Sequence, residues 1–327
     1  MTRPIIGITM GDPAGVGPEI IYKALRQPRV QSSCYPLIFG TSRFLTGLSL
    51  SAAIRSNFEI VQSPAEALFK YGKIDVVEIE ASPAIRVGEK SAASGRAALD
   101  YLERATQAAL RGEIDALVTA PVSKAAIRMA GARDFIGHTE YLAKTAGVTS
   151  FAMTFWSSRL KVALVTTHIP LREVASTINS KQILSVSILA NEALKKLGFP
   201  KPRIGVAGLN PHAGEDSAFG DEDARIVAPA VRAARKRRID ARGPLPADSL
   251  FHAALHGAYD LVVAMYHDQA LAPFKLIAFD EGVNFTLGLP FVRTSVDHGT
   301  AYDIAGKGIA SERSLVQAIK LAVRLAQ

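Results

Sequence analysis

Short apolar runs alternate with amphipathic stretches along all 327 residues, and this alternation narrows the choice of fold more than any other feature. Runs of strand length cover 4–10, 36–39, 75–79, 116–119, 151–155, 161–167, 203–209 and 259–265. Between them, helical spacing of apolar residues covers 18–26, 92–111, 139–146, 180–197, 221–237, 249–256 and 311–326. In 92–111 the residues Ala97, Ala98, Tyr101, Leu102, Ala105, Ala108 and Ala109 recur at a period of 3.6, and Gly112 ends the pattern. Parallel strands need a crossover between them, usually a helix, so strands alternating with helices predict an α/β architecture built on a mostly parallel sheet. A chain of this length exceeds the roughly 250–300 residues at which one core stops growing, so two lobes are expected. Composition marks no boundary and there is no long linker, which points to interleaved rather than consecutive lobes.

Composition excludes several classes. One cysteine, Cys34, rules out an intramolecular disulfide and a cysteine-rich zinc site. No stretch reaches the ~18–20 apolar residues of a membrane span. The first residues form a short strand pattern that runs straight into a Gly/Pro loop, without the apolar core of a signal peptide. A cytoplasmic protein that contacts no membrane is the expectation. Lys plus Arg (38) exceeds Asp plus Glu (30), a formal charge of +8. The densest basic run, Arg232 to Arg238, reads as a solvated helix face with cations near its carboxyl end. No aromatic interleaving or recognition motif accompanies it, so nucleic acid is not expected. Anionic small molecules explain the excess more economically.

Three histidines follow strand-like runs: His168, His212 and His267. Ligands of open α/β sheets collect beyond the carboxyl ends of the strands. Three imidazoles there can bind one divalent metal and leave a coordination position open; singly, each reads as a hydrogen-bonded structural residue. Gly11-Asp-Pro-Ala-Gly-Val-Gly-Pro-Glu follows the first strand and opens the first helix, with Pro18 suited to the first turn. Its spacing is not that of a Rossmann fingerprint, and a turn-and-cap role is equally available. Gly137-His-Thr-Glu enters a helix, where Thr139 is a candidate N-cap and exposed amides favour an anion. Lys275 and Arg293 suit a phosphate or carboxylate, as a point charge and a bidentate fork. In the loop after Val296, small residues permit close backbone approach, and Asp297 or Asp303 can meet a ribose hydroxyl.

These segments resemble a known family. His298-Gly-Thr-Ala-Tyr-Asp-Ile-Ala-Gly-Lys-Gly is similar to the cofactor loop of the isocitrate and isopropylmalate dehydrogenase superfold. Across essentially the whole chain, the 4-hydroxythreonine-4-phosphate dehydrogenase family of vitamin B6 biosynthesis is closer still. Its motifs appear as Gly11-Asp-Pro-Ala-Gly, Gly137-His-Thr-Glu, Thr167-His, Leu209-Asn-Pro-His-Ala-Gly-Glu, Gly243-Pro-Leu-Pro-Ala-Asp, Met265-Tyr-His-Asp-Gln and Gly288-Leu-Pro-Phe-Val-Arg-Thr-Ser-Val-Asp-His-Gly-Thr.

The resemblance implies two α/β/α lobes with the active site in the cleft between them. The expected division is 1–125 with 271–327, and 126–270. It implies that His168, His212 and His267 bind a divalent cation (Zn2+, Mg2+ or Co2+). It also implies that His138, Thr139, Lys275, Asn284 and Arg293 contact a phosphorylated substrate. The loop carrying Asp297, Gly299 and Asp303 would hold NAD, or NADP. The family is a homodimer whose site is shared between subunits. The implied reaction oxidises the C3 hydroxyl of 4-phosphooxy-L-threonine and then decarboxylates the product. Asp248, Asp268 and Lys275 are all candidates for the proton acceptor. A sister dehydrogenase acting on 4-phospho-D-threonate, 4-phospho-D-erythronate or a cis-diol would share the scaffold.

Overall fold

The computed structural model of the chain describes residues 3–47, 57–70 and 72–327. Among them are twelve strands: β1 (Ile5–Thr9), β2 (Tyr35–Gly40), β3 (Phe58–Val61), β4 (Ile74–Glu78), β5 (Ala116–Thr119), β6 (Ala152–Trp156), β7 (Lys161–Leu164), β8 (Arg203–Ala207), β9 (Asp240–Leu245), β10 (Leu261–Ala264), β11 (Val283–Leu287) and β12 (Val292–Val296). The chain packs as two compact units, 1–148 with 289–327, and 149–288.

The first unit holds a parallel sheet in the order β3-β4-β2-β1-β5-β12. Register puts Leu37, Gly7, Leu117 and Arg293 in one row. The next row is Ile38, Ile8, Val118 and Thr294. Successive strand residues point to opposite faces, so these rows serve two helical layers. Leu37 and Leu117 pack with Leu102, Ala105 and Ala108 of the helix Ala92–Leu110, and with Leu142 of the helix His138–Thr145. On the other face, Thr294 Oγ1 donates to Ala318 O of the helix Arg313–Ala326 at 2.9 Å. The helix Ala92–Leu110 starts at a capping box between Ser91 and Ser94, and its alanines let it lie close to the sheet. Leu37, Phe39, Leu102 and Leu117 are fully buried, each contributing roughly 1.5–3 kcal/mol.

The second unit holds a mixed sheet in the order β11-β6-β7-β10-β8-β9. Strands β7, β10, β8 and β9 are parallel, whereas β6 runs antiparallel to both β7 and β11. Val162 and Val262 share a row and face Leu250 and Phe251 of the helix Ala247–Leu255, with Leu271 and Phe274 of the helix His267–Ala278. The helix Ser180–Lys196, capped by Asn179 and Gln182, packs against β7, β10 and β11.

The α/β class expected from the alternation is found. The points where the chain passes between units, near 148 and 288, lie later than the 125 and 270 expected. The reason is packing: the helix His138–Thr145 gives Leu142 to the first core, while β11 pairs with β6 of the second. Strands β3, β9, β11 and β12 do not stand out as apolar runs in the sequence because polar residues interrupt each of them. The helix His267–Ala278 is hidden similarly, since Pro273 lies inside it.

Candidate active site

Within the first unit, β12 delivers Arg293 into the interior, where it is only 2% exposed. Its Nε and Nη2 donate to Thr119 Oγ1 of β5, at 3.2 and 2.7 Å. Burial draws the guanidinium down to about 9, with Glu140 pulling the other way. A buried guanidinium carries a desolvation cost of several kcal/mol and pairs best with planar anions.

His138 opens the helix His138–Thr145 beside it. Burial, and then the positive charges of Arg293 and Lys124, hold the imidazole well below its ordinary range, so it is neutral. Its Nε2 is enclosed and has no hydrogen-bond partner among the described residues. Leaving a buried polar atom unsatisfied costs about 1–3 kcal/mol, which an incoming ligand atom would relieve. Thr139 is buried next to it; the helix cap is Gly137 rather than Thr139, because the helix already begins at His138. A Cβ on Gly137 would lie 3.0 Å from Glu140 Oε2 and 3.7 Å from Lys124 Nζ, so both charges flank this turn. Glu140 closes the motif Gly137-His-Thr-Glu, whereas Thr119 and Lys124 stand in no motif of the sequence. Only the register of β5 against β12 and the packing of the short helix Lys124–Met129 bring them here.

The loop after β12 carries Asp297, half-buried, and Gly299 and Asp303, both exposed. Asp297 N donates to Ser314 Oγ at 3.2 Å, anchoring the loop's start to the last helix.

In the second unit, β7 and β10 run parallel and end together, with Val165 N on Ala264 O and Thr166 N on Met265 O. The histidines that follow are therefore neighbours: the rings of His168 and His267 are 5.7 Å apart, centroid to centroid. Both line a cavity of about 440 Å3 together with Thr167, Tyr266 and Asp268. His267 Nδ1 lies 2.7 Å from Asp268 Oδ1. With Nδ1–H donating to that carboxylate, Nε2 keeps its lone pair, the arrangement usual for a metal-ligating imidazole.

His212 does not join this pair. The backbone from His212 to Ser217 has positive φ at every residue, including 53° at His212 and 54° at Ala213. Asp223 pins the entry to this turn by accepting from Leu209 N at 2.7 Å and Asn210 N at 3.0 Å. The left-handed path turns the His212 ring onto Phe219, 6.0 Å away. Among the described residues, no three His, Cys, Asp or Glu groups are gathered as a metal site. Of the three expected imidazoles, those of His168 and His267 are neighbours. In donor chemistry these two fit a divalent ion.

The remaining candidates lie on three elements of the second unit. Lys275 is half-buried on the helix His267–Ala278, its Nζ 5.9 Å from the Phe279 ring centroid. Asn284 is half-buried on β11, in register with Phe155. Asp248 is exposed in the first turn of the helix Ala247–Leu255, accepting from Ser249 N at 2.9 Å.

Comparison with known proteins bears on this arrangement. The family model for pyridoxal phosphate biosynthetic protein PdxA matches residues 32–322. A 4-hydroxythreonine-4-phosphate dehydrogenase of Desulforapulum autotrophicum is 46% identical over 98% of this chain and 95% of its own. A D-threonate 4-phosphate dehydrogenase of Cupriavidus necator is 45% identical over 99% and 97%. The crystal structure of a 4-hydroxythreonine-4-phosphate dehydrogenase from Klebsiella pneumoniae superposes with a TM-score of 0.88, at 44% identity, covering 99% of this chain and 100% of that one. Matched over nearly its whole length by the family and by dehydrogenases of known name, the chain belongs to the PdxA family and is an oxidoreductase.

Proposed function

We propose that the protein oxidises the C3 hydroxyl of 4-phosphooxy-L-threonine with NAD and then releases carbon dioxide, giving 3-amino-2-oxopropyl phosphate. The observation that carries this reading is the buried Arg293 guanidinium beside the neutral His138, whose enclosed Nε2 lacks a partner. Such a pair receives an anion and a hydrogen-bonding oxygen together.

In this reading the C3 hydrogen leaves as hydride to the nicotinamide, and the hydroxyl proton passes to a protein base. The bond between C2 and the carboxyl carbon then breaks, and C2 is protonated. Arg293, His138, Thr139, Lys275 and Asn284 hold the phosphorylated substrate, so that binding energy remote from C3 orients it. His168 and His267 would hold a divalent ion, with His212 as the third imidazole. When bound, that ion polarises the oxygen on C3. Asp268 orients His267, and Asp248, Asp268 and Lys275 are the proposed proton acceptors. Asp297, Gly299 and Asp303 lie on the loop proposed to receive NAD or NADP.

A homodimer with a shared site accords with two observations. Among the described residues the three imidazoles are not gathered in one site, and Leu276 (89% exposed) and Phe279 (74%) present apolar side chains beside Lys275. No helix among the described residues is long and apolar enough to cross a membrane.

A second reading, oxidation of D-threonate 4-phosphate, is favoured by the Cupriavidus necator relative, whose identity differs by one percentage point from that of the Desulforapulum autotrophicum protein. Appearance of reduced nicotinamide with each substrate, with NAD and NADP and with and without chelator, tests both. Turnover of 4-phosphooxy-L-threonine is expected; turnover of D-threonate 4-phosphate alone would select the second reading. No nicotinamide reduction with either would overturn both.

A further inference from the structure

Two glycine-containing segments that look like separate loops in the sequence, 11–17 and 298–310, are one built structure in the first unit. Val16 N donates to Thr300 O at 2.9 Å, and a Cβ on Gly15 would lie 2.7 Å from that same oxygen. A side chain at Gly15 would therefore displace the second loop. The hydroxyl of Tyr302 donates to Asp12 Oδ2 at 2.5 Å. Ser94 Oγ, in the first turn of the helix Ala92–Leu110, donates to the same oxygen at 3.3 Å, and Ala14 N donates to Oδ1 at 3.0 Å.

The far end of the loop is held as firmly. Glu19, 4% exposed, accepts from Gly308 N at 3.2 Å and Ala310 N at 2.8 Å. Lys23 donates to the carbonyls of Gly308 and Ala310, at 2.9 and 2.7 Å, and to Glu19 at 2.8 Å. Between these anchors Asp303, Gly306 and Lys307 are exposed.

Asp12 is fully buried, yet among the described residues its carboxylate meets two hydroxyls and an amide, with no cation. Burial accordingly holds its carboxyl above the ordinary carboxylate value, against the hydrogen bonds from Tyr302, Ala14 and Ser94. A role confined to closing turns is met by a neutral amide at lower desolvation cost. A buried carboxylate without a countercharge points to a second demand, and the group it reaches across 290 residues of sequence is the Tyr302 hydroxyl.

We infer that Asp12 is a positioning residue for the dinucleotide, holding the loop 298–310 through Tyr302 in the conformation that receives the cofactor. This rests on the proposed reading of that loop as the cofactor loop, and adds to it a residue far from it in sequence. Tyr302 and Asp12 act as a pair: the hydroxyl sets the loop's height over the segment 11–17, and the carboxylate sets the hydroxyl's direction.

The test uses the full chain with Tyr302→Phe and, separately, Asp12→Asn. Fluorescence titration with reduced nicotinamide dinucleotide and steady-state kinetics in both substrates are the readouts, with thermal unfolding as a control. Loss of a hydrogen bond to a charged group predicts a rise of about tenfold or more in the KM for NAD in Tyr302→Phe, with the KM for the phosphorylated substrate within about twofold. Unchanged dinucleotide affinity in both variants would overturn the inference. So would an equal rise for both substrates, which signifies general loosening. If the wild-type protein neither binds nor reduces the dinucleotide, the cofactor reading itself fails, and the inference with it.

Discussion

Thr119 Oγ1 accepts both Nε and Nη2 of the buried Arg293 guanidinium, at 3.2 and 2.7 Å, across the β5–β12 pairing. This hydroxyl, with the charge of Glu140, helps a cation stand in a row otherwise made of Leu37, Gly7 and Leu117. Thr119→Val keeps the shape and removes the acceptor. It is expected to lower the unfolding free energy by roughly 1.5–3 kcal/mol, read by denaturant titration. An unchanged midpoint would mean that Arg293 finds an equal acceptor elsewhere.

Arg293→Ala is expected to raise the KM for the phosphorylated substrate by about 100-fold, and that for NAD far less. Arg293→Lys keeps the charge but not the planar fork, so an intermediate loss is expected. Equal effects on the two Michaelis constants would remove Arg293 from the substrate site.

His138 gives a pH signature. Its folded pKa is depressed by burial and then by Arg293 and Lys124, so the folded state resists a proton that the unfolded chain takes up below about 6.5. Its contribution to stability is therefore complete above about 6.5 and falls as pH drops below it. His138→Gln lacks this term, and the stability difference between wild type and variant should shift against the wild type from pH 7.5 to 5. Parallel pH profiles would show that the wild-type imidazole is not held neutral.

The metal reading is checked by ion content rather than turnover alone. His212→Ala and His267→Ala should both lose the divalent ion, measured by elemental analysis, while retaining their thermal unfolding transitions. Asp268→Asn should weaken binding by about 10–100-fold, because Nδ1 of His267 loses its carboxylate partner. Retained ion in His212→Ala would reduce the site to the His168–His267 pair.

Much of this was readable in the linear chain, for physical reasons that differ by element. The helix Ala92–Leu110 was legible because its apolar period and Gly112 stop are both local. Strand β12 was not, since Val292-Arg-Thr-Ser-Val is a buried strand only where Thr119 and the last helix take its polar groups. Strands β6 and β11 were expected to continue a parallel pattern or were unseen, and their antiparallel pairing depends on which neighbours are available. In the site, the pairing of His168 with His267 follows from two parallel strands ending level. The path of His212 does not, because five non-glycine residues in left-handed conformation leave no local trace in composition.

The sequence by itself determined the α/β class, the family motifs and the delivery of histidines to strand ends. Hydrophobic period and chain polarity are local properties, and they act before any tertiary contact forms. Tertiary structure alone decided which charges are buried and what they face. It put Arg293 against Thr119, enclosed Nε2 of His138, and joined Asp12 to Tyr302. Those outcomes turn on desolvation, and desolvation depends on which layers cover a residue rather than on its neighbours in the chain.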